Sequence, residues 1–439
     1  MGKSPRGIVP SFPQKIGTPA PWGASFALSP VDREPARRRA YALREVSRSL
    51  LMAYELGGHF PGLITCGLPL TQGEWVSLAL YEGEEVVARA TGIRTCGSVW
   101  ACPVCAPVEA DRRGEALARV VARRWARGWR VAHAVLTVRH TRGQGLEAVF
   151  RVLSQAWRRM TSHRAVRGFL QGWEWHRAVE ITYGGNGWHP HLHLLLLAPP
   201  GVDPYLLEEP LWEAWREAVE AVGWAPSSRG GYAYQVPESQ EDAVEVSRYN
   251  EKTWGLPQES SLGPRKEGKG GLGPFELLAV AAQGVEDEDL WATPELVDPI
   301  FEEELEGVGL DTPGLLRPRP RARVSPVVAR TLWVEYVEAT KGRKRTGMSR
   351  GLQAEVQQVL EEVEAEGKAA FQGLRLREVV QVRFCTYLWL LRARRLAYLL
   401  HWAEVLGSLA QACALAGLVP EEEWREVYRA QAPPEEGVA

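Results

Sequence analysis

Three histidines alternate in Trp188-His189-Pro190-His191-Leu192-His193, directly ahead of four leucines, Leu194 to Leu197. Alternate side chains of a strand share a face, so His189, His191 and His193 point the same way. Neutral imidazole is the commonest metal ligand, and three on one face make a metal platform. The leucine run behind them predicts a buried strand that anchors the platform in a core. A solvated His-rich strand is the bland alternative, but a third of the chain's nine histidines fall in these five residues. His-x-His alone is common to many unrelated metalloenzymes.

A second constellation lies about fifty-five residues on, at Glu245-Val-Ser-Arg-Tyr249-Asn-Glu-Lys252. Read as a helix, it places Glu245 four residues before Tyr249 and Lys252 three after, all on one face. A phenol is a weak nucleophile at its free pKa near 10 and needs metal, cation or base assistance. The ammonium of Lys252 suits charge on a phosphate, and the carboxylate of Glu245 suits proton transfer. An ordinary surface helix with an ion pair is the alternative reading of these residues in isolation.

Cys102-Pro-Val-Cys105 is a knuckle of the kind that grips zinc, with Cys96 six residues before it and Cys66 as the candidate fourth ligand. Four thiolates close a tetrahedral Zn²⁺ site, which assigns the ion a structural role. Reduced spare thiols are the alternative. Cys385 and Cys413 lie in apolar stretches and are expected to behave as small buried hydrophobes.

With these residues in view, the chain resembles the HUH endonucleases. Among them it is similar to the plasmid rolling-circle replication initiators that carry one nucleophilic tyrosine and a glutamate four residues before it. The matching pieces are Leu136-Thr-Val-Arg-His140, the histidine strand at 188–193, the Glu-x-x-x-Tyr-x-x-Lys helix at 245–252 and the cysteine cluster at 96–105. Gly271-Leu-Gly-Pro-Phe-Glu-Leu-Leu278, Leu332-Trp-Val-Glu-Tyr336, Lys341-Gly-Arg343 and Ser349-Arg-Gly-Leu352 match as well. The resemblance covers residues 60–355 with its motifs in order, which is far more specific than any one of them.

That resemblance implies an α+β fold. It implies a central antiparallel sheet of about five strands with the histidine strand in its middle, flanked by helices; the cysteine spacing adds a zinc-binding N-terminal insertion, and apolar positions at helical spacing add a helical C-terminal domain. It implies a nickase in which Tyr249 attacks one phosphate of the plasmid origin, single-stranded, melted or extruded as a hairpin, leaving a 5′-phosphotyrosine and a 3′-hydroxyl primer. Mg²⁺ or Mn²⁺ would be held by His191 and His193, with Glu180 as candidate third ligand and Glu174 and His176 as weaker ones; His189 need not be a ligand. Glu245 would activate water at termination, and a host helicase and DNA polymerase would follow. Relaxases place the tyrosine before the histidine strand, and neither Tyr41, Tyr54, Tyr81 nor Tyr183 offers a motif there. Another HUH enzyme (transposase or relaxase), a non-enzymatic zinc protein that binds DNA, and a cupin-type hydrolase are the competing readings.

The elements that must position these groups follow from periodicity. Strands are predicted at 131–139, 177–183 and 191–197, and helices at 107–127, 146–160, 208–221 and 241–253. The 439 residues divide as an arm and helix (1–60), a catalytic region (61–285), an acidic then Pro/Arg linker (286–325) and a helical region (326–439). The formal charge of −2 hides a strong asymmetry: residues 106–170 hold fourteen arginines against four acids, whereas 286–306 hold ten acids and no base. Arg112, Arg113, Arg123 and Arg124 are therefore candidate phosphate contacts, or else the solvated face of a helix. Residues 1–32 are expected to be disordered. Arginines interrupt the apolar run at Leu388 too often for a membrane span. No secretory signal is read at the N-terminus, so a cytoplasmic setting with reduced or metal-bound cysteines is expected.

Overall fold

A computed structural model describes residues 30–71, 73–162, 172–251, 271–283, 324–415 and 419–430. The N-terminal arm, Lys252 and the linker with its acidic stretch and Pro/Arg run lie outside the described residues. In chain order the helices are α1 (Pro30–Ala53), α2 (Pro61–Thr65), α3 (Cys105–Trp125), α4 (Leu146–Ser162), α5 (Glu208–Ala221), α6 (Gln240–Glu251), α7 (Pro274–Ala281), α8 (Pro326–Thr340), α9 (Arg350–Gln372), α10 (Phe384–Arg392), α11 (Leu396–Leu406) and α12 (Leu409–Leu415). The strands are β1 (Trp75–Glu82), β2 (Val86–Ala90), β3 (Arg130–Thr137), β4 (Glu174–Gly184), β5 (Gly187–Ala198), β6 (Ala233–Gln235), β7 (Thr346–Met348), β8 (Arg375–Arg383) and β9 (Trp424–Arg429).

Five strands form one antiparallel sheet in the order β6-β3-β5-β4-β7, with the histidine strand β5 at its centre. Both faces of β5 are covered, which is why its sequence is a continuous apolar run. Leu192, Leu194 and Leu196 enter a core with α4, α5, α7 and α8, contributing Leu153, Trp215, Phe275 and Trp333 among others. Leu195 and Leu197 enter a second core with Leu117 and Val121 of α3, Ala243 of α6 and Val356 and Val359 of α9. By the same alternation His191 and His193 face the side of α3, α6 and α9. The sheet is open, with β6 and β7 at its edges, which separates it from the closed double sheet of a cupin.

A two-residue turn, Gly185-Asn186, joins β4 to β5, and Gly184 pairs with Gly187. Gly187 has φ +86°, and a Cβ there would come within 2.9 Å of the Arg142 Cα. Only glycine fits, and the tight hairpin sets the register of the two strands that carry the candidate metal ligands.

The helices and strands expected between residues 107 and 253 are present, with ends shifted by a few residues. The C-terminal region differs from its all-helical expectation. Residues 375–383 form a strand, because Leu376, Val380 and Val382 recur with a period of two rather than 3.6. With β9 it joins β1 and β2 in a second antiparallel sheet, β2-β1-β8-β9, so residues 75–90 pair with the C-terminal region instead of the histidine sheet. Glu378, buried in that sheet, accepts from the backbone N–H groups of Leu409 (2.5 Å) and Ala410 (3.0 Å) and so caps α12. Cys413 is buried as expected, whereas Cys385 is exposed, on the face of α10 opposite Tyr387 and Leu391. Among the described residues no helix is long and apolar enough to cross a membrane.

The motifs outside the site act through packing. Trp333 and Tyr336 are fully buried, and Glu335 accepts from the Trp188 indole (2.9 Å) and from the Leu146 N–H at the start of α4 (2.6 Å). Replacing Trp333 by Ala is expected to cost about 3–5 kcal/mol of stability in urea unfolding, as for other buried tryptophans.

Candidate active site

Strand parity assembles one polar face. Across the ladder Thr137 and Glu180 lie opposite His191, Val135 and Ala178 opposite His193, and His133 and His176 opposite Leu195. Residues directly opposite share a face of the sheet, so these side chains project together toward α6. Glu180, His191 and His193 offer ligand atoms that all lie within 4.8 Å of one another, on buried residues. Glu180 Oε2 lies 2.7 Å from His191 Nε2 and 2.5 Å from His193 Nε2.

The outer ring nitrogens are held as well. His191 Nδ1 donates to the His189 carbonyl at 3.2 Å, and His193 Nδ1 lies 3.2 Å from His133 Nε2. His133 Nδ1 in turn meets the Gln235 amide at 3.2 Å. Such partners orient an imidazole so that Nε2 faces the ion. One carboxylate and two imidazoles suit a hard or borderline divalent cation such as Mg²⁺ or Mn²⁺. Burial pushes the Glu180 carboxyl up, but His191 and His193 outweigh it and hold it well below the carboxylate range. Burial likewise opposes charge on His191, and the nearby Glu180 carboxylate reverses the balance and raises it. His189 is pushed down to about 3 by burial and by its neighbours His191 and His140, so it is neutral at pH 7.

Tyr249, half-buried on α6, reaches the same face. Its ring stands edge-on to His193 at 5.8 Å and to His133 at 6.4 Å between centroids. Glu245, one turn earlier, is exposed.

Two residues that close α6 fasten it to the sheet, and sequence reasoning missed them. Glu251 Oε1 lies 2.8 Å from His176 Nε2, both groups at 1% exposure or less, and Asn250 Nδ2 lies 2.7 Å from His176 Nδ1. His176 is thus engaged in this pair, and Glu174 accepts from the Ser349 hydroxyl; neither joins the ligand cluster. Burial pushes the Glu251 carboxyl up, yet His176, then Arg345 and Arg113, bring it below its ordinary value. Arg345 is itself buried, and its backbone carbonyl accepts from Val179 at 2.9 Å. The signal for their partner was parity, since His133 and His176, opposite Leu195, lie on the same face of the sheet as His191 and His193, but the pairing register is needed to see it.

The cysteines converge independently. Cys66 Sγ lies 3.7 Å from the sulfurs of Cys102 and Cys105, and Cys96 Sγ 3.7 Å from that of Cys105. Sulfurs about 2.3 Å from a tetrahedral zinc stand about 3.8 Å apart, so the four fit a Zn(Cys)₄ site. Backbone N–H groups of Ser98 and Cys105 point at the sulfurs of Cys96 and Cys102. Hydrogen bonding from Cys102, then Cys105 and Cys96, holds the Cys66 thiol below its ordinary value, and the buried Arg44 acts in the same direction. Trp100, within this loop, donates to the Arg343 carbonyl at 2.8 Å and its own carbonyl accepts from Tyr336. The cluster thereby ties the start of α3 to the segment that carries Arg345.

The basic patch meets α9. Arg112 pairs with Glu109 and Glu364, Arg123 with Glu362, and Arg124 with Glu355 while its guanidinium lies over Trp129; Arg113 lies 3.8 Å from Glu109. A phosphate would have to compete with these carboxylates.

Residues 88–226 match the model of a family described as replication protein. That span contains Cys96, Cys102, Cys105, Glu180, His191 and His193 and ends before Tyr249. The chain is similar to the "Protein rep" of Streptomyces lividans, 25% identical over 320 residues, covering 60% of this chain and 63% of that protein. It is also similar to a "Neomycin resistance protein" of Streptomyces cyanogenus, 28% identical over 138 residues, covering 25% of this chain and 32% of the other. The chain thus spans less than two thirds of the length of these relatives. No solved structure matches.

Two outcomes follow from this geometry. Stripping zinc with a strong chelator under reducing conditions is expected to release one ion per chain and lower Tm by roughly 5–10 °C; an unchanged Tm would make the cysteines plain thiols. Glu251→Ala is expected to cost about 3–5 kcal/mol at pH 7, by leaving the buried His176 Nε2 without its carboxylate partner. A carboxyl lowered by folding stabilises above its unfolded pKa near 4.3 and loses that contribution as pH falls through the folded value. The gap between wild type and variant in denaturant should therefore narrow from pH 7 toward pH 3.

Proposed function

We propose that this protein is a plasmid replication initiator that nicks one strand of its origin by tyrosine attack, in the manner of a single-tyrosine HUH endonuclease. The observation that carries the reading is the placement of the Tyr249 ring beside His193, within the buried face that holds Glu180, His191 and His193. The match to replication proteins over residues 88–226 supports the same process.

Glu180, His191 and His193 would hold Mg²⁺ or Mn²⁺, which as a Lewis acid would offset charge on the scissile phosphate. His133 and the His189 carbonyl keep the two ligand imidazoles aimed at that point. Tyr249 supplies the nucleophile: its Oη–P bond forms, the bond from phosphorus to the 3′ oxygen breaks, and the phenol proton is lost while the departing oxygen is protonated. The products are a 5′-phosphotyrosine and a 3′-hydroxyl. The reverse reaction rejoins the strand. Glu245, exposed one helical turn from Tyr249, would activate water or accept a proton at termination. Lys252 takes its proposed role, a cation for the phosphate, from its spacing alone. The Glu251–His176 pair and Asn250 steady the end of α6 and with it the approach of Tyr249.

Origin DNA in single-stranded, melted or hairpin form is the proposed substrate, and a helicase and polymerase of the host are the proposed successors at the 3′ end. Purified protein, Mn²⁺ and supercoiled plasmid carrying the origin provide the test. Nicked circles with protein on the 5′ end are expected from wild type, with at least a thousandfold loss in Tyr249→Phe and with EDTA. His191→Ala should lose nicking together with Mn²⁺ binding. Retained cleavage in Tyr249→Phe would assign the nucleophile elsewhere, and binding without cleavage in wild type would favour a non-enzymatic zinc protein.

A further inference from the structure

The row of imidazoles continues past the ligand cluster. Ring centroids step 4.8 Å from His193 to His191, 5.0 Å from His191 to His189 and 4.8 Å from His189 to His140. His140 Nε2 lies 2.5 Å from His189 Nδ1, and its Nδ1 faces the Asn186 carbonyl at 3.1 Å. Beyond His140 opens a cleft of about 290 Å³ whose walls include Arg139, His140, Thr141, Gln144 and Trp224. Tyr249 stands at the opposite end of this row, against His193 and His133.

The walls of the cleft are built rather than incidental. Trp224 is half-buried, packs on the main core, and donates from Nε1 to the Arg139 carbonyl at 2.6 Å. Gln144 Oε1 accepts from the Thr141 N–H at 2.8 Å, which closes the loop around the opening. Arg139 is exposed at its rim. Unlike the arginines of α3, it has no carboxylate partner among the described residues.

An aromatic wall, a guanidinium and two polar side chains around a small cleft are what an unstacked nucleotide requires. A base stacks on the indole, the phosphate meets the guanidinium, and base edges meet hydroxyl and amide groups. In a duplex the base faces are covered by their neighbours, so such a cleft selects single strands. In-line displacement adds a direction, because the departing 3′ oxygen leaves on the side away from the attacking phenol. The cleft lies on that side of the ligand cluster.

We propose that the cleft between Trp224 and Arg139 is a single-stranded DNA subsite that holds the nucleotide carrying the 3′-hydroxyl released at the nick. It rests on the nickase reading for its direction, although not for its ligand class. By retaining the freed 3′ end near the phosphotyrosine, the subsite favours rejoining and presents the primer at a fixed place.

Two measurements test it. Binding of a fluorescent twelve-residue oligothymidylate to the Tyr249→Phe protein in EDTA is followed by anisotropy, so that no cleavage is needed. Adding Trp224→Leu or Arg139→Gln should weaken binding about tenfold, Trp224→Phe should restore it to within about threefold, and Mn²⁺ affinity should not change. Unchanged oligonucleotide affinity in Trp224→Leu and Arg139→Gln would overturn the subsite, as would a Trp224→Phe variant as weak as Trp224→Leu. On origin plasmid with Tyr249 intact, Trp224→Leu should rejoin nicked circles about tenfold more slowly than wild type; equal rejoining would overturn the assignment to the 3′ side. Absence of nicking by wild type, with the oligonucleotide pattern as expected, would sink the nickase reading while leaving the DNA cleft in place.

Discussion

Everything at the site depends on the register between β4 and β5. Side chains alternate across a sheet, so a slip of one residue would turn Glu180 and His176 into the α4/α5/α8 core and present Val179 or Ile181 to the histidines. The Gly184–Gly187 hairpin forbids that slip, because a two-residue turn allows one pairing and because Gly187 must adopt a positive φ against Arg142. The carboxylate and imidazoles brought together in this way are mutually stabilising: each offsets the burial that would otherwise neutralise or unseat the other.

A sheet face alone does not bring Tyr249 beside His193. The tyrosine helix must dock on it at a defined height, and two kinds of contact achieve this. Helix α3 packs directly on α6 at Gly114, whose Cα side faces the Arg248 backbone and Glu251 Cβ at ordinary contact distance. The buried Glu251–His176 pair then adds a directional bond that apolar packing lacks. Helix α3 is itself held in two ways: the cysteine cluster sits at its first turn, and acids of α9 pair with its arginines along its length. The arginines of α3 are thereby engaged with carboxylates, whereas Arg139, beside the site, has no carboxylate partner among the described residues.

The sequence by itself determined most element types from residue 105 to 251 and the candidate metal-ligand groups. Helices from 105 to 251 and the three long strands were legible because burial imposes a period on apolar residues, and the His-x-His and Cys-x-x-Cys spacings were legible because ligands close in sequence need only local geometry. Glu180 was reachable as a candidate since it lies on the strand preceding the histidines. The strand at 375–383 was misread because its apolar positions are few and sit between helices, and its partner strand lies some three hundred residues earlier.

Only the tertiary structure decided which distant groups meet. That His133 backs His193, that His176 belongs to Glu251 rather than to the ligand cluster, that Cys66 completes the sulfur tetrahedron, and that the basic helix faces acids are facts of pairing register and helix docking. These are set by the packing of whole faces, whose free energy is spread over many side chains far apart in the chain. No short pattern encodes them, which is why the candidate groups could be read locally while their arrangement could not.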